Sequence, residues 1–245
     1  MAVCDRIKNR SIELYQKTAN HCKFAPVGAF LLYNGYMKIG AFDSGKGGTT
    51  VLAAVKKELP DEEYYFIADS KNCPYGNKTK EELLEITSDI VKELEEWGAR
   101  IVIIACNTAT TNCIDDLRAR FPRLKFVGTE PAIKLAVESG AKKILVLATP
   151  GTVKAERTIS LLEQNQKAGQ EIDLLACPGL AEAIEHDENV DKVLDGLLNG
   201  VDEYDCVVLG CTHYPLIKDK IQRYFPNASL IDGNDGVAKK VKELL

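Results

Sequence analysis

The stretch Ile101–Cys113, IVIIACNTATTNC, decides how the rest of the chain is read. Its first five residues are a continuous apolar run bounded by small polar residues, the pattern of a strand buried on both faces of a parallel sheet. The run ends on Cys106, and Asn107, Thr108 and Thr110 follow with side chains that can cap the next helix. The thiol is therefore expected at the carboxyl edge of a sheet, where ligands bind in open α/β folds. A helix N-terminus beside it is expected to lower its pKa.

The same pattern returns near the other end of the chain. Cys206–Pro215, CVVLGCTHYP, is a second apolar run, ending on Cys211, with Pro215 placed to start a helix. Cys211 lies 105 residues after Cys106 (211 − 106 = 105), and the offset recurs in Ile39/Ile144 and Ser44/Thr149, at the starts and ends of IGAFDS and ILVLAT. Phe121-Pro122 and Phe225-Pro226 match at 104. Similar spacing of strands and helices explains any single pair. Two cysteines at equivalent strand ends argue for an internal duplication in which each half contributes one thiol to a shared cleft.

A chain of 245 residues can bury a full core, as one large or two modest α/β domains. The net charge of −5 supplies no basic field for nucleic acid. Phe24–Tyr33 is the longest apolar stretch near the N-terminus; it is too short to span a bilayer and follows polar sequence. The chain reads as a cytoplasmic protein with neither a nucleic-acid nor a membrane partner. Its eight cysteines, at 4, 22, 73, 106, 113, 177, 206 and 211, are scattered, so reduced thiols are expected. Zinc on Cys106, Cys211 and His213 is conceivable, but Cys-x-His is not a usual structural spacing and a fourth ligand is not evident. No metal is expected.

Residues 1–37 stand outside the repeating pattern as an N-terminal appendage, in which Cys4–Cys22 can form a helix with Ile7, Leu14 and Tyr15 on one side. From Ile39 onward, apolar strand candidates fall at Ile39–Phe42, Tyr64–Ala68, Ile101–Ala105, Lys125–Val127, Ile144–Ala148, Ile172–Ala176, Cys206–Gly210 and Ser229–Ile231. Helical patterns alternate with them: Thr49–Leu59, Lys80–Trp97, Thr110–Arg120, Pro131–Glu138, Val153–Lys167, a region around Gly179–Asn199, Pro215–Tyr224 and Gly236–Leu245. Such alternation predicts parallel sheets with helices on both faces. The expected fold is α/β: two similar doubly wound parallel-sheet domains related by pseudo-symmetry, with the active site in the cleft between them. The domains are placed at residues 38–133 plus 237–245 and at residues 134–236. Lys78–Glu96 reads as a solvated helix face, and His21 and His186 as surface residues.

Asp43-Ser44-Gly45-Lys46-Gly47-Gly48 directly follows the first strand. Its glycines allow a tight turn and close approach of backbone N–H groups to an anion. The run lacks both the dinucleotide spacing and the G-K-[ST] ending of a phosphate loop, so a carboxylate is the smaller claim. Asp43 and Ser44 are expected at the same sheet edge as Cys106, an acceptor and a donor for an amino acid's ammonium and carboxylate.

Six motifs in this order, DSGKGG at 43–48, CPYG at 73–76, ACNTAT at 105–110, EPA at 130–132, ATPGTV at 148–153 and GCTHYP at 210–215, resemble those of the glutamate racemases. The likeness runs from about Lys38 to Leu245. The resemblance implies interconversion of L- and D-glutamate without pyridoxal phosphate, metal or other cofactor, supplying D-glutamate for peptidoglycan. It implies that Cys106 serves D-glutamate and Cys211 L-glutamate, that Asp43 assists Cys106 and His213 assists Cys211, and that Glu185 is a further acidic residue. It also implies that Asp43, Ser44, Tyr75, Gly76, Asn107, Thr108, Thr149, Thr212 and His213 bind substrate, and that the enzyme is a homodimer. Thr149 serves equally well as a helix cap. The rivals are an aspartate racemase of the same superfamily and a non-catalytic amino-acid-binding or regulatory protein. Paired proton carriers argue against the latter, since binding alone needs none.

Overall fold

The computed structural model describes residues 37–245, so the expected helix over Cys4–Cys22 lies outside the described residues. Among the described residues, eight strands form two sheets. The first holds β1 (Lys38–Asp43), β2 (Glu63–Ala68), β3 (Ile101–Ile104) and β4 (Lys125–Gly128), in the order β2-β1-β3-β4. The second holds β5 (Lys143–Ala148), β6 (Glu171–Ala176), β7 (Cys206–Gly210) and β8 (Ser229–Ile231), in the order β6-β5-β7-β8. Every pairing is parallel, and the two orders are the same topology written twice. The central registers agree as well. Ile39 pairs with Ile101 and Ile144 with Cys206, the same separation of 62 residues in each half (101 − 39 = 62; 206 − 144 = 62).

The apolar runs are strands because both faces of each sheet are covered. On one face of the first sheet, Val102 and Ile104 pack with Leu83, Val91 and Leu94 of α2 (Lys80–Trp97) and with Cys113 and Leu117 of α3 (Asn107–Arg120). On the other, Ile101 and Ile103 meet Val51 and Val55 of α1 (Gly48–Glu58) and Val237, Ala238 and Val241 from the end of the chain. The second sheet is enclosed in the same way, with Val207 and Leu209 on one face and Val146 and Val208 on the other. α2 starts on a capping box, Thr79 and Glu82 each accepting from the other's backbone N–H, and stops at Gly98, whose φ of 98° only glycine adopts readily.

Several helices differ from the sequence expectation. α3 begins three residues earlier, at Asn107, and Cys106 itself takes the cap position without a side-chain cap bond. The strand runs straight into the helix, the Thr110 N–H reaching the Cys106 carbonyl at 2.9 Å, so Asn107, Thr108 and Thr110 are part of the first turns rather than caps. After α4 (Ile133–Glu138), the single helix expected over Val153–Lys167 is two, α5 (Pro150–Lys154) and α6 (Glu156–Asn165), broken at Ala155, whose ψ is 132°. The next region is α7 (Leu180–His186) and α8 (Val190–Leu198), separated by Asp187 and Asn189 in left-handed conformations with φ of 56° and 54°. Pro215 opens a short 3-10 turn, Tyr214–Ile217, before α9 (Lys218–Gln222). The last helix, α10 (Asn234–Lys242), lies against α1 and the first sheet.

Candidate active site

The two sheets present their carboxyl edges to one another, so β1, β3, β5 and β7 deliver Asp43, Cys106, Thr149 and Cys211 to one place. Asp43, the last residue of β1, is fully buried. One carboxylate oxygen accepts from the Gly48 N–H at the start of α1 (2.6 Å) and from the Thr212 hydroxyl (3.3 Å), the other from Ser44 Oγ (3.4 Å). The Cys106 thiol in turn donates to Ser44 Oγ at 3.8 Å. Burial raises the Asp43 pKa, opposed by the His213 charge and by the bonds from Cys106, Ser44 and Gly48.

Cys106 departs from the sequence expectation of a lowered pKa. Burial pushes it well above the usual value, helped by the Asp43 charge, and the bond from the Ala109 N–H at the start of α3 offsets only part of this. A helix N-terminus contributes only a fraction of a charge, which does not compensate for loss of water around the sulfur.

Cys211 has a different companion. Its sulfur lies 3.9 Å from His213 Nδ1, and His213 Nε2 is 2.8 Å from Glu185 Oε2. The pair is shielded, with side-chain exposures of 1% for His213 and 6% for Glu185, so its charges are not screened as a surface pair's would be. Glu185 also accepts from the Lys46 N–H (2.8 Å) and from Ser70 Oγ (2.7 Å), both on the first sheet's half. Burial alone would raise Glu185, but the bonds from His213, Ser70 and Lys46 hold it near 2. Burial alone would lower His213, yet its bonds with Cys211 and Glu185, together with the Cys211 and Asp43 charges, lift it to about 10.

Around the thiols lie the other residues singled out in the sequence. The Thr108 and Thr149 hydroxyls are 2.8 Å apart, and Thr149 also accepts from the Thr152 N–H, so it both caps α5 and faces Thr108. Gly76 comes so close that an added Cβ would lie 3.0 Å from Thr149 Cβ. Tyr75 is buried, its hydroxyl donating to Asp69 at 2.7 Å, and Asn107 is buried at the start of α3. The halves are closed upon each other: a Cβ on Gly45 would sit 2.3 Å from Glu185, and one on Gly47 2.5 Å from His213. Cavities of about 430 and 290 Å³ lie away from the thiols, the first along α3 and α6, while one of about 400 Å³ borders the site at Gly76, Pro150 and Gly151.

The family model for Asp/Glu/hydantoin racemases matches residues 49–241. Glutamate racemase of Campylobacter curvus (strain 525.92) is 42% identical over 219 residues, covering 84% of this chain and 82% of the relative. This chain belongs to the Asp/Glu/hydantoin racemase family. Glutamate racemase of Clostridium novyi (strain NT) is 41% identical over 217 residues, covering 85% of this chain and 83% of that one. Among solved structures, Escherichia coli glutamate racemase in complex with L-glutamate and the activator UDP-MurNAc-ala superposes with a TM-score of 0.76 at 32% identity, covering 85% of this chain and 82% of that one.

The side chains of Asp43, Ser44, Cys106, Thr108, Thr149, Glu185, Cys211, Thr212 and His213 gather around the closed cleft, and two companions that sequence reading missed lie there as well. Lys46 and Ser70 hold the Glu185 carboxylate, at separations of 139 and 115 residues that no local pattern links. The glycine run did signal that backbone N–H groups would meet an anion there; the anion met by Lys46 is Glu185. The zinc set considered in the sequence, Cys106, Cys211 and His213, is not the grouping that the described residues form; Cys73, Glu185 and His213 converge instead.

Proposed function

We propose that this racemase interconverts L- and D-glutamate by passing protons across the α-carbon between two cysteines, with no cofactor. The observation that carries the reading is that two thiols stand at equivalent strand ends, each with a separate acid/base partner: Cys106 with Ser44 and Asp43, Cys211 with His213 and Glu185. Inversion needs a base on one side and an acid on the other, and a duplicated fold supplies both in opposed orientation.

With D-glutamate bound, the Cys106 thiolate takes the α-proton while the Cys211 thiol gives a proton to the opposite face, leaving L-glutamate, a Cys106 thiol and a Cys211 thiolate. L-Glutamate runs the same steps in reverse. The α-proton beside a carboxylate is weakly acidic, so negative charge on the α-carbon and carboxylate must be held by donors fixed before the reaction. Ser44, Asn107, Thr108, Thr149 and Thr212 hydroxyls and amides, with the backbone at Tyr75-Gly76, are assigned to hold the substrate's polar groups. Asp43 and His213 exchange protons with Cys106 and Cys211, and Glu185 orients the imidazole and keeps it charged. His213 Nδ1 then donates to the Cys211 sulfur whenever that sulfur carries negative charge.

We also infer two domains, residues 38–133 with 237–245 and residues 134–236, each built on one sheet, and a cytoplasmic homodimer that supplies D-glutamate for peptidoglycan. Among the described residues no helix is long and apolar enough to cross a membrane. The direct test is circular dichroism or chiral chromatography of L-glutamate incubated with EDTA-treated protein. Conversion to the racemate is expected, with loss on thiol alkylation and protection by substrate; abolition by the chelator would sink the two-thiol reading. A kcat/KM for aspartate exceeding that for glutamate would move the substrate to the shorter acid.

A further inference from the structure

Cys73 has no part in the proton transfers above, yet it stands against the machinery that performs them. It follows the short turn Ser70–Asn72 on the first sheet's half and is partly exposed, whereas Glu185 and His213 come from the second half. Ligand atoms of Cys73, Glu185 and His213 all lie within 4.8 Å of one another. A tetrahedral zinc with bonds of about 2.0–2.3 Å spaces its ligands by roughly 3.3–3.8 Å, so closure on an ion asks for movements of about an ångström.

We propose that Cys73, Glu185 and His213 form an inhibitory site for a thiophilic divalent cation, zinc above all, that holds the two halves together and disables proton exchange at Cys211. The donor set selects the metal. Sulfur, imidazole nitrogen and one carboxylate oxygen suit zinc, while calcium and magnesium require mostly oxygen. Thiolate and carboxylate together balance the two positive charges. The carboxylate is already oriented by the Lys46 N–H and the Ser70 hydroxyl, the kind of outer support that metal-binding carboxylates require. Three protein ligands leave a fourth position for water, and the partly exposed Cys73 side gives the ion a way in.

Binding is a ligand exchange with no redox change. Hydrated Zn²⁺ releases water ligands, the Cys73 S–H and the proton on the His213 nitrogen beside Glu185 leave to solvent, and S–Zn, N–Zn and carboxylate O–Zn bonds form in their place. That nitrogen is Nε2, so the remaining ring proton is on Nδ1, facing Cys211. In the metal-free enzyme the charged ring gives its Nδ1 proton to the Cys211 sulfur and is left as a neutral imidazole on Glu185, whereas a ring held by metal at Nε2 would have to become an imidazolate to do so, and proton exchange with that sulfur stops. The inhibition, though not the binding, rests on the role proposed for His213 in glutamate racemisation.

The test uses the full chain stripped of metal, with Zn²⁺ titrated by calorimetry and Co²⁺ substituted as the optical probe. Co²⁺ is expected to give a thiolate-to-metal charge-transfer band in the wild type that Cys73→Ser and Cys73→Ala both lack. Zn²⁺ is expected to stop racemisation reversibly, with EDTA restoring it. Both variants are expected to racemise glutamate like the wild type while needing at least about 100-fold more Zn²⁺ for the same inhibition, since even an outer-shell partner is worth 10–100-fold in metal affinity. Wild type and variants inhibited by the same Zn²⁺ concentration would overturn the proposal and assign zinc to the two central thiols. A wild type without the Cys73-dependent cobalt band would overturn it too. The cobalt spectrum needs no turnover, so a protein that shows the band but fails to racemise glutamate sinks the catalytic reading alone.

Discussion

Because inversion at an α-carbon uses a base and an acid in one turnover, the two thiols cannot substitute for each other. Cys106→Ala and Cys211→Ala are each expected to lose racemisation in both directions by at least ~10²–10⁴-fold, the usual cost of removing a general acid or base. The surviving thiol can still exchange the α-hydrogen: Cys106→Ala is expected to keep deuterium exchange on L-glutamate and Cys211→Ala on D-glutamate, read by NMR in D₂O. Near-normal racemisation by either folded variant would contradict the two-thiol assignment. The Glu185–His213 pair makes a second residue-scale prediction, about pH. Its His213 contribution to stability is fully present below pH 6.5 and is lost as pH rises through about 10; its Glu185 contribution is present above pH 4.5 and lost as pH falls through about 2. Glu185→Gln removes a carboxylate that helps to keep the imidazole protonated. The His213 ring is therefore expected to titrate below 10 by NMR, and the alkaline fall in Tm to be smaller and to level off at lower pH than in the wild type. An unchanged titration would show that Cys211 and Asp43 alone hold the ring charged.

At the scale of elements, the loop between β1 and α1 is the part that the second sheet presses upon. A Cβ at Gly47 would meet His213 N at 2.7 Å and Thr212 C at 2.8 Å, which are backbone atoms of the turn that follows β7 and cannot swing aside as a side chain would. Gly47→Ala is expected to push the thiols out of register and lower kcat/KM by about 10²-fold, the scale of loss from a misplacement of about 1 Å, with an overpacking cost of about 1–3 kcal/mol in stability. Steady-state kinetics beside thermal unfolding would separate the two effects. Gly196 provides the contrast. It lies exposed in the interior of α8, with nothing within 4 Å of an added Cβ, so Gly196→Ala is expected to stabilise by about 0.8–1 kcal/mol and leave the kinetics unchanged. A destabilised Gly196→Ala would mean that α8 carries a constraint absent from its visible surroundings.

For the whole molecule, both sheets and every residue assigned to the site fall within residues 37–245, so a chain beginning at Met37 is expected to fold and racemise glutamate. If that chain is folded but inactive, residues 1–36 belong to the working enzyme. The sequence by itself determined the strands of the described residues: β1, β3, β5 and β7 are apolar because both faces are covered, a local property, and the partly exposed β2, β6 and β8 keep polar residues among their apolar ones. It also determined the duplication, since the 105-residue offset between Cys106 and Cys211 reappears as the same 62-residue register in each half. Helix breaks were harder to read: Ala155 carries neither proline nor glycine to mark the end of α5, and the turn at Asp187 and Asn189 uses residues that helices also tolerate. The electrostatic state of Cys106 was read with the wrong sign, because the helix start is written in the sequence but the burial that outweighs it is not. Only the tertiary structure decided that Glu185 reaches Lys46 and Ser70, and that Cys73 stands beside Glu185 and His213. Periodicity records what each strand or helix buries. How one sheet's edge meets the other's depends on the shapes of two packed bodies, and no local pattern of residues encodes that fit.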